Sequence, residues 1–147
     1  MTFGTLQDDI MTGTAGVDTL LGLSGDDTLI SLSGSDSLFG GDGMDTADYS
    51  ASGAGVEVRL NGGANSDQLT GGGGADTFEF TVTVGIDRIT DWQDGTDVLD
   101  FTADGLGFGD FAVSTFGGGA GTSLIGGGYV VCLEGVPIAD IDATDFI

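Results

Sequence analysis

Apolar residues in the first third of this chain follow neither a helical stripe nor a simple alternation. They return every ninth position: Met11, Leu20, Leu29, Leu38 and Ala47. Read in nines from Gly4, the chain gives GTLQDDIMT, GTAGVDTLL, GLSGDDTLI, SLSGSDSLF and GGDGMDTAD. Each of these residues is the centre of a triplet that reads as a short strand with its middle side chain turned inward. The sixth position of every block is Asp: Asp9, Asp18, Asp27, Asp36 and Asp45. The fourth is Gln7, then Gly16, Gly25, Gly34 and Gly43. Two further blocks, GGANSDQLT from Gly62 and GGGGADTFE from Gly71, repeat the pattern with Asp67, Asp76, Leu69, Phe78 and, at position four of the second, Gly74.

Such a period describes a coiled chain of strand and tight turn. Gly at positions one, two and four permits positive φ and close backbone approach. Asp at position six aims a carboxylate into the turn. Two blocks make one coil, so successive turns fall on alternate edges. Asp9, Asp27 and Asp45 are then expected along one edge and Asp18 and Asp36 along the other, with coils stacked at the strand spacing of about 4.8 Å.

Beyond the repeats the pattern changes. The register breaks from Tyr49 to Asn61, where GVEVRL (55–60) alternates as a strand, and TFEFTVTV (77–84) is another. Residues 85–101 read as two strands around a Gln93-Asp94-Gly95-Thr96 turn. Two apolar stretches, Phe111 to Phe116 and Tyr129 to Leu133, flank a Gly-rich loop from Gly117 to Gly128. No helical period of useful length occurs. The expected organisation is a single domain over 1–147: a first repeat block (4–48), an irregular insert (49–61), a second block (62–80) and a C-terminal β region (81–147).

Charge decides what the aspartates are for. The 147 residues carry 24 acidic and two basic side chains, Arg59 and Arg88, for a formal charge of −22, with no His. Nucleic acid and anionic membrane surfaces are excluded as partners, because both require Lys or Arg to displace counterions. Without His there is no Ser-His-Asp or Cys-His pair, and without Lys no Schiff-base nucleophile. Cys132, the lone cysteine, cannot form an internal disulfide and reads as a small buried hydrophobe. Insertion into a membrane is not expected, since no apolar run reaches 18 residues. Met1 to Thr12 lacks the basic and apolar regions of a cleaved signal peptide, so export would need another route. Disorder is argued against by a hydrophobic share of 39%.

The acid is skewed to 21 Asp against 3 Glu, and short carboxylates suit tight turns and oxygen cages. Carboxylates about 5 Å apart repel by roughly 1 kcal/mol in water and about 3 kcal/mol at an effective dielectric near 20. The first 58 residues contain no cationic side chain to relieve that repulsion. A hard divalent cation held by carboxylates and turn carbonyls would do so. The flexible, nearly all-protein cage favours Ca²⁺ over Mg²⁺, and the lack of His and clustered Cys disfavours Zn and Cu. The competing reading of these aspartates is turn chemistry, each side chain capping its own backbone.

The pattern GGxGxDxUx resembles the calcium-binding nonapeptide of RTX (repeats-in-toxin) proteins, and GGGGADTFE matches every fixed position. That resemblance implies a right-handed parallel β-roll with several Ca²⁺ ions held between successive turns, continuing into a β-sandwich-like C-terminal part. Carried over, Asp9–Asp27 and Asp27–Asp45 would flank ions on one edge and Asp18–Asp36 an ion on the other, with Asp67 and Asp76 serving the later turns. Carbonyls of Gly16, Gly25, Gly34, Gly43 and Gly74 would complete the cages. Thr5, Gln7, Leu23, Ser31 and Leu32 depart from the motif.

GGGGADTFEF with DRITDW and GTDVLDF is similar to the segment after the repeats in serralysin-type proteases and to repeat modules of mannuronan epimerases. There, acids of the following loops can bind further ions. Asp87, Asp91 and Asp97 are candidates, with solvated loop acids the equal alternative. The ending Asp145-Phe146-Ile147 resembles the uncleaved C-terminal signal of type I secretion substrates, against an ordinary final strand as the alternative. Trp92 reads as packing rather than a sugar platform, and Glu57 and Glu79 are not paired as glycosidase acids. The expected function is a secreted, Ca²⁺-dependent module that folds by ion capture and supports its own export or that of an attached domain. The alternative is a Ca²⁺-dependent module binding extracellular polysaccharide or acting as an adhesin. An enzyme is disfavoured, and any catalytic domain would lie outside the chain.

Overall fold

The computed structural model describes residues 1–34, 36–53, 56–59, 66–80 and 85–147. Among the described residues, fourteen short strands build the fold. In chain order they are β1 (Thr2–Phe3), β2 (Ile10–Thr12), β3 (Thr19–Ser24), β4 (Thr28–Ile30), β5 (Ser37–Asp42), β6 (Thr46–Asp48) and β7 (Glu57–Arg59). There follow β8 (Gln68–Thr70), β9 (Thr77–Glu79), β10 (Asp87–Ile89), β11 (Val98–Asp100), β12 (Ala112–Phe116), β13 (Gly121–Gly126) and β14 (Tyr129–Glu134). Single 3₁₀ turns punctuate the C-terminal part, and no α-helix occurs among the described residues.

The chain coils, so consecutive strands lie on opposite walls. Even-numbered strands β2, β4, β6, β8 and β10 stack in parallel on one wall. The other wall is formed by β1-β3-β5 and β7-β9-β11, also parallel. Position eight of each repeat points inward. Met11, Leu29, Ala47, Leu69 and Ile89 form one inner row in register, and Leu20, Leu38, Phe78 and Leu99 belong to the opposing wall. None of these is more than 6% exposed, so the nine-residue period is a core-forming period. An all-β roll is therefore present.

The C-terminal part continues the same sheet instead of starting a separate layer. β10 pairs in parallel with β14, and β14-β13-β12 closes the wall as an antiparallel meander. Aromatic rings plug this end: Phe80 stacks on Phe101 at 4.9 Å, and Phe101 meets Phe111, Tyr129 and Phe146 at 4.6, 5.2 and 6.0 Å. The Asp145-Phe146-Ile147 ending is part of this plug, since Ile147 N–H donates to the Leu99 carbonyl at 3.1 Å.

Some expectations need revision. Within the supposed loop from Gly117 to Gly128 lies β13, whose Thr122 and Leu124 are fully buried. The glycines mark its two hairpin turns, where Gly117, Gly118, Gly119, Gly127 and Gly128 have positive φ. The strands in residues 85–101 do flank a turn, but they occupy opposite walls instead of pairing with each other. GVEVRL and TFEFTVTV form strands over Glu57–Arg59 and Thr77–Glu79. Their remaining parts at 55, 60 and 81–84 lie outside the described residues, as do 62–65 of the second block. Trp92 is buried with its ring 6.1 Å from Phe78, which is the packing role, and Cys132 is buried.

Candidate metal centre

Strands β2 to β6, β8, β9 and β11 each follow a turn that ends in an aspartate, β10 opens on one, and coil stacking lines those turns up. On one edge the backbone N–H of Asp9 donates to Asp27 Oδ1 at 2.8 Å, that of Asp27 to Asp45 Oδ1 at 3.0 Å, and that of Asp45 to Asp67 Oδ1 at 3.0 Å. Asp67 N–H then donates to Asp87 Oδ1 at 3.2 Å. On the other edge Asp18 N–H donates to Asp36 Oδ1 at 2.8 Å, Val56 N–H to Asp76 Oδ1 at 2.9 Å, and Asp76 N–H to Asp97 Oδ1 at 3.0 Å. One carboxylate oxygen of nearly every rung is thus occupied in joining its coil to the previous one.

The second oxygen divides the rungs into two kinds. Asp9 Oδ2 accepts from Thr5 N–H at 2.5 Å and from Thr5 Oγ1 at 2.9 Å. Asp18 Oδ2 accepts the equivalent pair from Thr14, at 2.5 and 2.7 Å. Asp36 Oδ2 accepts from the Ser31 hydroxyl, and Asp97 Oδ2 from Gln93 N–H at 2.8 Å. In contrast, Oδ2 of Asp27, Asp45, Asp67 and Asp76 is buried with no hydrogen-bond partner. Those four residues are 1%, 1%, 4% and 1% exposed. Burying a carboxylate oxygen without a donor is costly, so such atoms require a cationic or donor partner.

Electrostatics agree. Burial is the first cause that holds the carboxyls of Asp27, Asp45 and Asp76 above the usual range, with neighbouring carboxylates adding to it. Asp67 is pushed up to about 7 by burial, with Asp87 and Asp45 repelling its charge. Asp18 moves the opposite way, held down by the Thr14 hydrogen bonds.

The glycines explain how the turns close. Position one needs glycine for space, not for φ. A Cβ on Gly22, Gly40 or Gly71 would collide with Oδ2 of Asp27, Asp45 or Asp76 respectively. Position four does need positive φ: Gly25, Gly34, Gly43 and Gly74 lie at 116°, 136°, 142° and 121°. A Cβ there would strike the preceding coil, Gly16 O lying 2.6 Å from the one built on Gly34. Gly16 itself has no positive φ among the described residues.

Of the residues singled out by sequence, Asp9, Asp27, Asp45 and Asp67 share one ladder, and Asp18, Asp36 and Asp76 lie on the other edge. Asp87 and Asp97 extend the two ladders and are 2% and 1% exposed, so they are not solvated loop acids. Asp91 instead ties a turn, accepting Gly71 N–H at 2.9 Å and Gly72 N–H at 2.7 Å. Sequence reasoning passed over the position-five acids: Asp26 N–H donates to Asp8 Oδ1 and Met44 N–H to Asp26 Oδ1, both at 2.9 Å, along the exposed rim.

Among the described residues no group of three or more acidic, thiol or imidazole side chains converges. An ion on these ladders must therefore draw on turn carbonyls as well as carboxylates. A donor set of oxygens alone, with buried Oδ2 atoms lacking partners, fits a hard cation such as Ca²⁺.

Fold and site together define a parallel β-roll with aspartate-lined, oxygen-donor turns. Residues 3–38, 12–47 and 59–80 match the model of the RTX calcium-binding nonapeptide repeat. In structure the chain is similar to the AlgE6R3 subunit of the Azotobacter vinelandii mannuronan C5-epimerase, with TM-score 0.60 and 31% identity, over 98% of this chain and 80% of that one. The AlgE6R2 subunit of the same enzyme gives TM-score 0.51 and 26% identity, over 99% and 90% of the two chains. A search of curated protein sequences found no match. The chain belongs to the RTX calcium-binding nonapeptide repeat family, which implies that it binds Ca²⁺.

Proposed function

We propose that this chain is an extracellular module that folds by capturing several Ca²⁺ ions on its aspartate ladders. Carbonyls of turn residues such as Gly25, Gly43 and Gly74 would complete the coordination. The supporting observation is the set of four buried, partnerless Oδ2 atoms on Asp27, Asp45, Asp67 and Asp76. Metal affinity becomes folding free energy when no site exists in the unfolded chain. Extracellular Ca²⁺ modules work with dissociation constants of about 0.1–1 mM. At ten times such a constant, each independent site would stabilise the fold by about 1.4 kcal/mol. Several sites would add up to a substantial part of a domain's ~5–15 kcal/mol. In a low-Ca²⁺ cytosol the ladders repel themselves and the chain stays loose enough for type I export. Outside, it locks, and supports folding of itself or an attached domain. Circular dichroism of the purified chain is expected to show β structure in millimolar Ca²⁺ and its loss in chelator. Identical spectra in both would refute the proposal.

A second reading follows from the likeness to subunits of a mannuronan C5-epimerase. In it, the module binds an acidic polysaccharide through Ca²⁺ bridges, since the −22 charge would otherwise repel it. Pull-down on polymannuronate with and without Ca²⁺ tests it: retention only with Ca²⁺ supports it, and no retention in either refutes it.

A further inference from the structure

We propose that the ladders load calcium selectively, because hydroxyl side chains at the first two repeat positions occupy the ion-seeking carboxylate oxygen on some rungs. The inference rests on the Ca²⁺-binding reading above and asks which rungs carry it out.

Two structural features sort the turns in the same way. The first is the Oδ2 partner. In the turns 4–9, 13–18 and 31–36, the Oδ2 of Asp9, Asp18 and Asp36 is bound by Thr5, Thr14 and Ser31. In the turns 22–27, 40–45 and 71–76, the Oδ2 of Asp27, Asp45 and Asp76 is buried and bound by nothing. The second feature is the backbone at position two. Leu23, Gly41 and Gly72 have φ of 89°, 112° and 91°, whereas Thr5, Thr14 and Leu32 have no positive φ. Leu23 is the single non-glycine with positive φ among the described residues. A leucine adopts that conformation only at a cost of roughly 1–2 kcal/mol, so the turn geometry itself is being enforced there.

Chemistry explains the sorting. A hydroxyl or position-two N–H on Oδ2 supplies the donor that a bare carboxylate lacks, and covers the lone pairs an ion would need. Position-one glycine with position-two positive φ removes both donors and leaves the oxygen facing its own turn. Ser31 marks the boundary, because it stands where the other nonapeptide blocks have glycine and is the residue that binds Asp36 Oδ2. Thus Asp27, Asp45 and Asp67 on one edge and Asp76 on the other take ions, while Asp9, Asp18 and Asp36 remain ion-free.

Native mass spectrometry of the full chain, titrated with Ca²⁺, reads the number of bound ions. Asp9→Asn and Asp36→Asn are expected to leave that number unchanged, and Asp45→Asn to lower it. Ser31→Gly restores the position-one glycine, removes the hydroxyl from Asp36 Oδ2 and is expected to add one ion, which Asp36→Asn in the same background removes. A lower count for Asp9→Asn or Asp36→Asn alone, in wild-type background, would overturn the selectivity, and so would an unchanged count for a folded Ser31→Gly. If Ser31→Gly does not fold, the two Asn variants decide. A wild-type chain that binds no Ca²⁺ would overturn the proposed function and this inference together, whereas selectivity alone fails if ions bind equally at every rung.

Discussion

Asp45→Asn is expected to stabilise the chain without calcium and to lose most of that gain in calcium. Asp45 is 1% exposed; its Oδ1 accepts Asp27 N–H and its own N–H donates to Asp67 Oδ1. Asparagine keeps the Oδ1 acceptor, so both coil-joining hydrogen bonds survive. What disappears is a negative charge one strand spacing from Asp27 on one side and Asp67 on the other. Each neighbour repels it by about 3 kcal/mol at an effective dielectric near 20 and ~5 Å. Relaxation and counterions reduce that figure, and a metal-free gain of roughly 1–3 kcal/mol remains, since neutralisation also removes the cost of burying a charge. In calcium that gain is offset. Losing a ligand from one site forfeits about 1.4 kcal/mol at ten times the dissociation constant, together with any ion shared with the adjacent rung. Urea unfolding followed by far-ultraviolet circular dichroism in millimolar Ca²⁺, and the β content that the variant and wild type retain in chelator, measure both changes. Equal destabilisation in the two conditions would show that Asp45 is a turn-capping residue with no ion to hold.

Two further outcomes follow from the same geometry. The carboxyl of Asp67 is pushed up to about 7, and those of Asp27, Asp45 and Asp76 are raised, burial being the first cause in each. A folded-state value above the unfolded 3.8 means the metal-free fold binds the extra protons, so stability in chelator is greatest below about 4 and is lost as pH rises through about 7. The β structure seen by circular dichroism in chelator should therefore increase from pH 8 to pH 5, while Ca²⁺ affinity falls over the same interval; metal-free β structure that decreases on acidification would contradict the raised values. Gly40→Ala places a methyl on the Asp45 carboxylate and should cost about 1–3 kcal/mol of overpacking and weaken Ca²⁺ binding. Gly53→Ala, where nothing lies within 4 Å of the added Cβ, serves as the control in the same calorimetric melt.

Sequence reading recovered the roll because two requirements repeat at one spacing. Position eight must be apolar to fill the inner rows, and position six must be Asp to bridge coils, so Leu29 and Asp27 announce themselves together. It was less informative where coil length drifts. From Asp45 to Asp67 the coil takes 22 residues, from Asp67 to Asp87 20, and from Asp76 to Asp97 21. A fixed period cannot carry Asp87 and Asp97 into the ladders. A local signal remained, namely glycine two residues before each Asp and a strand after it, in Gly85-Ile86-Asp87 and Gly95-Thr96-Asp97. β13 was missed because its glycines at 117–119 and 127–128 resemble a loop, although they serve two hairpin turns around a buried Thr122-Ser123-Leu124. The role of position-one glycine was also invisible from composition, since the demand for space comes from a carboxylate five residues away and not from the local φ.

The two oxygens of each aspartate do different work, and this separates what the roll needs from what calcium supplies. Oδ1 accepts a neighbouring coil's N–H, so the coil-to-coil register is written into backbone and carboxylate together. Oδ2 sets the electrostatic cost of that register. Where Thr5, Thr14 or Ser31 meets it, the cost is covered from within the chain; where position one is glycine and position two has positive φ, it is left to a cation. Because each rung contacts only the rungs beside it, relief of charge at Asp45 lowers the cost of ordering Asp27 and Asp67 in turn. Ion binding is therefore expected to be cooperative along the Asp27–Asp45–Asp67 edge, running from the hydroxyl-capped first coil toward the end sealed by the Phe80, Phe101, Phe111 and Phe146 rings.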